Sequence, residues 1–528
     1  MFCFRYLLTA ACLCWWIGSC STPSPNAPVE PTGAAHPNIL LILADDMGFS
    51  DLGCYGSEIQ TPNLDQLARN GYRFTQFYNS AKCTPSRGAL LTGRYPHEVG
   101  VGSAIARPEK HYKAGAYQGY LDHTATTIAE FFRDQGYRTG MTGKWHLGPT
   151  PDKWPHQHGF ERYFGLISGA SSYWKKIEEK RERFFAVDST LWVPPNEGFY
   201  LTDAIADSTI AHLTRFLAED AGQPFFEYVA FTAPHWPLHA PAADIARYAG
   251  TYKTGWAAAR EARHQRQQAA GLLPNATPLS PAPSSIPEWQ ARDPQQEWAR
   301  RMEVHAAMVD RMDQNIGKLV DWLKSNNQLE NTILIFVSDN GASAEDVTER
   351  GLHDDAAPIG LQGSYLSFCE PWANVSNTPF RNYKLRLYEG GTATPLIVHW
   401  PAGEEQLKDW PSRGGALHHP GHLIDLFPTL ANWIAPEAAE GIAFSGQPLQ
   451  GVRDSNRTLY WEYAGHRALR QGNWKIVRTK ESESWELYDL EKDRAETTNL
   501  AAQHPQQVEA LTTAWQAWAE QVGVFDER

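Results

Sequence analysis

His36-Pro-Asn-Ile-Leu-Leu-Ile-Leu-Ala44, running directly into Asp45-Asp46, is the stretch that decides the fold. Its apolar residues are continuous rather than alternating, the pattern of a strand covered on both faces, and such strands belong to sheets packed between helices. In open α/β sheets ligands gather at the carboxyl ends of the strands, so the acidic pair stands where chemistry is expected. Two further runs repeat the arrangement. Phe225 to Phe231 ends in Thr232-Ala-Pro-His235, and Thr332-Ile-Leu-Ile-Phe-Val337 delivers Ser338-Asp339-Asn340-Gly341.

Helical patterns lie between these runs. Thr61 to Gly71 reads as a capped helix closed by glycine, followed by a strand from Arg73 to Tyr78. Thr127 to Gln135 is a short amphipathic helix ending at Gly136, with a strand through Gly143 after it. From Glu297 to about Ser325, Met308, Met312, Leu319 and Leu323 share one helical face. Strand and helix alternating in this way predict an α/β fold, a large mixed, mostly parallel sheet flanked by helices. Residues 36–400 are read as this catalytic domain, with the Ala-, Gln-, Arg- and Pro-rich segment 253–296 as a surface excursion carrying one charged helix. Beyond 401 the pattern changes. Ala468 to Val477 and Trp485 to Leu490 are short alternating strands, and Pro505 to Val522 is an amphipathic helix, so 401–528 is read as a smaller antiparallel sheet plus helix.

The chain has 528 residues, 42% hydrophobic and 20% charged, ordinary values for a folded protein and a length that suits two unequal parts. A formal net charge of -13 with no basic block excludes nucleic acid as a partner, while leaving room for a local cationic pocket. The first residues carry Arg5, an apolar run from Tyr6 to Ile17, and Gly18-Ser19-Cys20. This is the pattern of a signal peptide over 1–19, too short for a membrane span. Small residues before Cys20 resemble a bacterial lipobox, so a lipid anchor on Cys20 is expected, with 20–35 as a Pro-rich tether. The expectation is an exported protein, a periplasmic or outer-membrane lipoprotein of a bacterium. Of the seven cysteines only Cys54, Cys83 and Cys369 fall beyond the leader, which rules out a disulfide framework. Cys54 and Cys369 could pair or remain two free thiols.

Chemistry is concentrated in a few segments. Cys83-Thr-Pro-Ser-Arg87 puts a thiol in a turn that Pro85 rigidifies, with the permanent cation of Arg87 beside it. Asp45-Asp46 and Asp339-Asn340 offer three carboxylates and an amide oxygen, hard ligands that suit Ca²⁺ or Mg²⁺ better than Zn²⁺. In Gly143-Lys-Trp-His146, Lys144 and His146 leave the same face of an extended segment, where one can grip an anion while the other moves a proton. His235 sits in a Pro-bounded turn after its strand, and Lys384 in a loop of turn residues before Glu389-Gly-Gly391.

In content and in order along the chain, these segments resemble the formylglycine-dependent sulfatases, a branch of the alkaline phosphatase superfamily. The resemblance runs from about Asn38 to Leu500, and Ala44-Asp-Asp-Met-Gly-Phe-Ser-Asp51 and Phe199-Tyr-Leu-Thr-Asp203 look most like bacterial arylsulfatases. It implies that Cys83 is oxidised to formylglycine (3-oxoalanine) by a formylglycine-generating maturation enzyme, and that the aldehyde hydrate is the nucleophile. It further implies that Asp45, Asp46, Asp339 and Asn340 bind a calcium ion together with the modified Cys83. By the same resemblance Arg87 and Lys144 hold the nucleophile and the sulfate, His146 serves the aldehyde hydrate, and His235 with Lys384 face the leaving group. The implied substrate is an aryl or alkyl sulfate or a sulfated glycan. Lys82 and Thr142 depart from the family pattern, Lys82 standing where a smaller or apolar residue is usual. Two rival readings are a phosphomonoesterase or phosphodiesterase of the same superfamily, and an inactive surface glycan-binding lipoprotein. The phosphatases need extra His and Asp ligands for a second metal, whereas Asn340 follows Asp339 here. The inactive reading would be favoured by a missing nucleophile or lysine, and none is missing.

Overall fold

The computed structural model describes residues 36–103, 115–176, 183–273, 277–291, 294–449 and 457–524. The expected signal peptide, anchor site and tether lie outside the described residues. Among those described, no helix is long and apolar enough to cross a membrane.

Strand β1 (Asn38–Asp45) is buried along its whole length. Its side chains alternate between two cores: Leu40, Ile42 and Ala44 join one apolar cluster, Ile39, Leu41 and Leu43 the other. That is why the sequence shows no polar alternation here. The remaining strands of the large sheet are β2 (Tyr72–Tyr78), β3 (Arg138–Lys144), β4 (Arg162–Leu166), β5 (Phe185–Val187), β6 (Thr190–Trp192), β7 (Phe225–Pro234), β8 (Thr332–Ser338), β9 (Ala393–His399), β10 (Ala416–Leu417) and β11 (Gly421–His422). They form an eleven-stranded sheet in the order β10-β2-β9-β8-β1-β7-β3-β4-β5-β6, with β11 also paired to β2. The centre, β8-β1-β7-β3-β4, is parallel, while β9 and the β5–β6 hairpin run antiparallel to their neighbours. The mixed, mostly parallel sheet expected from the sequence is therefore present.

Parallel register sets the site. Ala44 stands beside Ser338, Asp45 beside Pro234, and Gly143 beside Ala230. The residues that leave these strands, Asp46, Asp339, His235 and Lys144, therefore emerge along one edge of the sheet. Helices cover both faces. The helix Gln295–Ser325 buries Met308, Met312, Leu319 and Leu323 against one core, and Ile128–Asp134 buries Phe131 and Phe132 against the other. The helix Pro62–Asn70 is not capped by Thr61. Asp313 does that work from the long helix, accepting from Asn63 N at 3.1 Å and Leu64 N at 2.8 Å.

Two expectations need correction. The charged helix of segment 253–296 exists, Trp256–Ala269, but it is not a solvated excursion: Arg260, Arg263, His264 and Gln267 are buried. Arg263 reaches Asp51 at 2.7 Å and Glu58 at 2.7 Å, so paired carboxylates bring these charges into the interior. The change of character at 401 also comes earlier than the structural one, because β10 and β11 still pair with β2. The second sheet is β12 (Thr458–Tyr463), β13 (His466–Gln471), β14 (Trp474–Arg478) and β15 (Glu486–Asp489), antiparallel throughout. Helix Pro505–Val522 packs Leu511, Trp515 and Trp518 onto its Leu469, Ile476 and Leu487. Cys54 and Cys369 are both free thiols.

Candidate active site

Cys83 opens the helix Cys83–Thr92 and is buried. Lys82 is its N-cap with extended φ/ψ, and Ser86, in the first turn, holds Ser80 N through its hydroxyl at 2.9 Å. The thiol thus stands at a helix N-terminus, where the positive end of the peptide dipoles favours negative charge. Arg87 follows one turn later on the same face. It is fully buried and locked: Nε and Nη2 donate to Asp339 Oδ2 at 3.2 and 2.9 Å, and Nη1 donates to the Lys144 carbonyl at 2.7 Å.

Asp46 adopts a positive φ of 66° at the end of β1, a conformation rare outside glycine and concentrated at functional sites. Its Oδ1 accepts from Asn340 Nδ2 at 2.6 Å and its Oδ2 from Lys384 Nζ at 2.8 Å. The Cys83 Sγ lies 3.9 Å from Asp46 Oδ1, and His235 Nε2 lies 3.5 Å from Asp46 Oδ2. Lys144 Nζ donates to Asp45 Oδ2 at 2.7 Å. Ligand atoms of Asp45, Asp46, Cys83 and His235 all fall within 4.8 Å of one another. The structure therefore brings together Cys83, Arg87, Lys144, His235, Lys384, Asp45, Asp46, Asp339 and Asn340. His146 leaves the same strand end with a positive φ of 58° and is half-buried against Gly169, where a Cβ would come within 2.4 Å of its Nε2. The Thr142 hydroxyl is engaged with that of Thr209 at 2.7 Å.

Lys384 owes its position to an irregular loop. Asn382 and Leu385 have positive φ, Lys384 N donates to Ala342 O at 3.1 Å, and Leu385 N donates to Ala81 O at 2.8 Å. These bonds tie the lysine to the segments after Asn340 and before Cys83.

Burial dominates the electrostatics. It pushes the Asp45 carboxyl up to about 7 against the pull of Lys144 and Arg87. Asp46 goes the other way, because Lys384 and Lys144 outweigh its burial. Burial pushes the Cys83 thiol up to about 12, so the thiol as it stands is not a thiolate. His235 is driven well below its ordinary value by burial and by Lys384 and Lys144. Its Nδ1 contacts the Trp236 carbonyl at 2.6 Å, which fixes that nitrogen as the protonated one and turns Nε2 toward the cluster. Lys384 is held protonated, Asp46 outweighing the effect of burial.

A hard cation suits the donor set. Asp45 Oδ1 and Asn340 Oδ1 are buried and accept no hydrogen bond, with Arg87 Nη2 3.6 Å from the former. Buried acceptors without donors, among three carboxylates, are what an oxygen-preferring divalent ion would satisfy. Sequence reasoning missed Glu345, whose Oε2 accepts from Trp236 Nε1 at 2.7 Å, and Tyr463 of the small sheet, whose phenol is pushed up by burial and by the nearby Cys83. Neither lies in a patterned stretch, and no local signal could have found them.

The sequence profile of the Sulfatase family matches residues 37–435. The chain belongs to the sulfatase family. An uncharacterised sulfatase of Schizosaccharomyces pombe is 32% identical over 537 aligned residues, covering 92% of this chain and 94% of that one. An arylsulfatase of Klebsiella aerogenes is 36% identical over 70% of this chain and 83% of its own. A crystal structure of Ps i-CgsB in complex with k-i-k-neocarrahexaose superposes with a TM-score of 0.67 at 25% identity, covering 92% and 93% of the two chains. The sulfatase is thus a sulfuric ester hydrolase on the alkaline phosphatase-like fold.

Proposed function

We propose that this sulfatase cleaves sulfate monoesters of aryl alcohols or saccharides using a formylglycine made from Cys83 by a maturation enzyme, with a calcium ion held by Asp45, Asp46, Asp339 and Asn340. The observation that carries the reading is the junction at Cys83. A buried thiol, too weakly acidic to act as a thiolate, stands at a helix N-terminus within 3.9 Å of a carboxylate in an oxygen-rich cluster. Formylglycine, once formed, would supply a geminal hydroxyl as nucleophile in place of that thiol. Calcium, when bound, would lower the pKa of that hydroxyl and neutralise sulfate charge.

The chain's own residues do the rest. Arg87, immobilised by Asp339 and the Lys144 carbonyl, keeps a fixed positive charge beside residue 83 with no reorganisation during reaction. Lys144, paired with Asp45, and Lys384, paired with Asp46, bind the non-reacting sulfuryl oxygens. His235 and Lys384 face the leaving oxygen. Lys384 is protonated at rest, and His235 gains its proton as the negative charge of the substrate opposes the effect of the lysines. His146, beyond Lys144, takes the proton that regenerates the aldehyde. The saccharide side of the reading is supported by the oligosaccharide in the Ps i-CgsB complex. Export and acylation at Cys20 would put the enzyme on a membrane surface, where polymeric glycans are met first.

Peptide mass spectrometry of protein matured in a competent host, combined with turnover of 4-nitrophenyl sulfate and a set of sulfated saccharides before and after chelation, tests the reading. Loss of the Cys83 thiol and chelator-sensitive turnover are expected. Full activity with an unmodified thiol, or turnover indifferent to chelation, would overturn it.

A further inference from the structure

Lys82 immediately precedes Cys83, and the structure gives it an unusual setting. Its backbone caps the helix of Cys83 while its side chain takes no part in the cap. That side chain is 15% exposed, and its ammonium lies 3.6 Å from Glu345 Oε1, an ion pair too long for a hydrogen bond. Among the described contacts the Lys82 ammonium has no hydrogen-bond acceptor. Glu345, by contrast, is anchored: its Oε2 accepts from Trp236 Nε1 at 2.7 Å and its carbonyl from Ser367 Oγ at 2.6 Å. Trp236 follows His235 directly and is pinned in turn, with the Arg350 guanidinium 4.2 Å above its ring and Tyr365 against it.

The line Lys82, Glu345, Trp236 therefore bridges the neighbour of the nucleophile and the neighbour of the leaving-group histidine. Both members of the pair are partly withdrawn from water, their side chains 15% and 29% exposed. Each keeps hydrogen-bonding capacity that the other, at this distance, does not use.

We infer that Lys82 and Glu345 form the subsite that reads the alcohol half of the substrate, and that this alcohol is a sugar with a free hydroxyl next to the sulfate ester, accepting a hydrogen bond from Lys82 and donating one to Glu345. The inference rests on the sulfatase reading above and adds the substrate class. A hydroxyl uses both members of a net-neutral pair. A second sulfate or a carboxylate would gain Lys82 but meet Glu345 at nearly the same distance, so the two effects largely cancel.

The experiment compares mature wild type with Lys82→Met and Glu345→Gln on three substrates. These are the best of the 2-, 3-, 4- and 6-O-sulfated methyl hexosides, its analogue deoxygenated beside the ester, and 4-nitrophenyl sulfate. Wild type should lose about ten- to a hundredfold in kcat/KM on deoxygenation, the loss expected for a hydrogen bond to a charged group. Either substitution should cost the parent sugar sulfate about as much, and in the variants deoxygenation should then cost little more, because sugar and protein partner have been removed from the same bond. The fall on 4-nitrophenyl sulfate should be at least about tenfold smaller. Equal falls on all three substrates, a deoxygenation penalty that survives in both variants, or turnover of the aryl ester with none of any hexose sulfate would overturn the subsite while leaving the sulfatase reading intact. Turnover of neither ester class by fully matured wild type would bring down that reading and the subsite with it.

Discussion

Two clusters of buried charge, one holding Lys384 and the other Glu389, differ in what they leave unpaired. In the first, Asp45, Asp46 and Asp339 face Arg87, Lys144 and Lys384, all buried. In the second, where the small sheet meets the large one, Glu389 and Glu496 face Lys475 and Arg494, also buried. Lys475 reaches Glu389 at 3.0 Å and Glu496 at 2.9 Å, and Arg494 Nε reaches Glu389 at 3.1 Å. The orphans of the second cluster are covered: the Arg494 η nitrogens lie over Phe49 and Phe380 with ring distances of 5.6 and 4.5 Å, and Glu496 Oε1, which has no hydrogen-bond donor, still has the Lys475 ammonium 2.9 Å away. The orphans of the first are acceptors, Asp45 Oδ1 and Asn340 Oδ1, with no such cover. Charge closed on itself or on aromatic faces holds a fold together. Charge left as open oxygen awaits a cation. Burial alone does not separate the two roles, but the chemistry of what is unpaired does.

If that distinction is right, breaking the second cluster should damage folding more than chemistry. Lys475→Met leaves Glu389 and Glu496 buried with one cation fewer and should cost about 3–5 kcal/mol of stability, while kcat per folded molecule changes less than about tenfold. Denaturant unfolding and active-site titration measure the two. A comparable collapse of kcat in the folded fraction would merge the clusters into one functional unit. The reverse pattern is expected at Asp339. Asp339→Asn keeps the volume but removes the charge that holds Arg87 and helps bind a cation, and turnover should fall on the order of 10²–10³ with smaller change in the melting temperature. Added calcium should partly restore it, whereas unchanged turnover would deny Asp339 its place in the site.

His235 tests the first cluster from the leaving-group side. A departing sugar alkoxide needs its proton in the transition state and an acidic phenol does not, so His235→Ala should slow saccharide sulfates by about 10² and 4-nitrophenyl sulfate far less. Losses that do not depend on the leaving-group pKa would pass the acid role to Lys384, which is already protonated beside Asp46.

Much of this was legible in the chain. The continuous apolar runs at Ile39 to Ala44 and Thr332 to Val337 located the central strands, because residues buried on both faces have no reason to alternate, and the groups at their carboxyl ends are those the structure gathers. What escaped is contact between segments without periodicity. Asp313, not Thr61, caps the helix Pro62–Asn70, and the charged helix Trp256–Ala269 turns its arginines inward because Asp51 and Glu58 await them from segments far away in sequence. Glu345 and Tyr463 reach the site in the same way. Partners of that kind are set by tertiary approach, and no local pattern encodes them.

The smallest expected effect sharpens the comparison through pH. Burial and the neighbouring Glu389 push the Glu496 carboxyl up to about 7, Lys475 pulling the other way, from a normal value near 4.5. Between those limits the folded protein keeps a proton that the unfolded chain releases, so stability is greatest at the acid end and falls as pH rises through the window. At about 1.4 kcal/mol per pH unit for a fully expressed shift, the loss between about pH 5 and 7 is about 2 kcal/mol. Glu496→Gln mimics the protonated side chain and removes that slope. The stability of wild type minus that of the variant, followed by denaturant unfolding, should therefore decline by about this amount across the window and level off above about pH 7. A difference that stays flat would mean that Lys475 keeps Glu496 ionised throughout, making the second cluster a fully charged network rather than one closed with a shared proton.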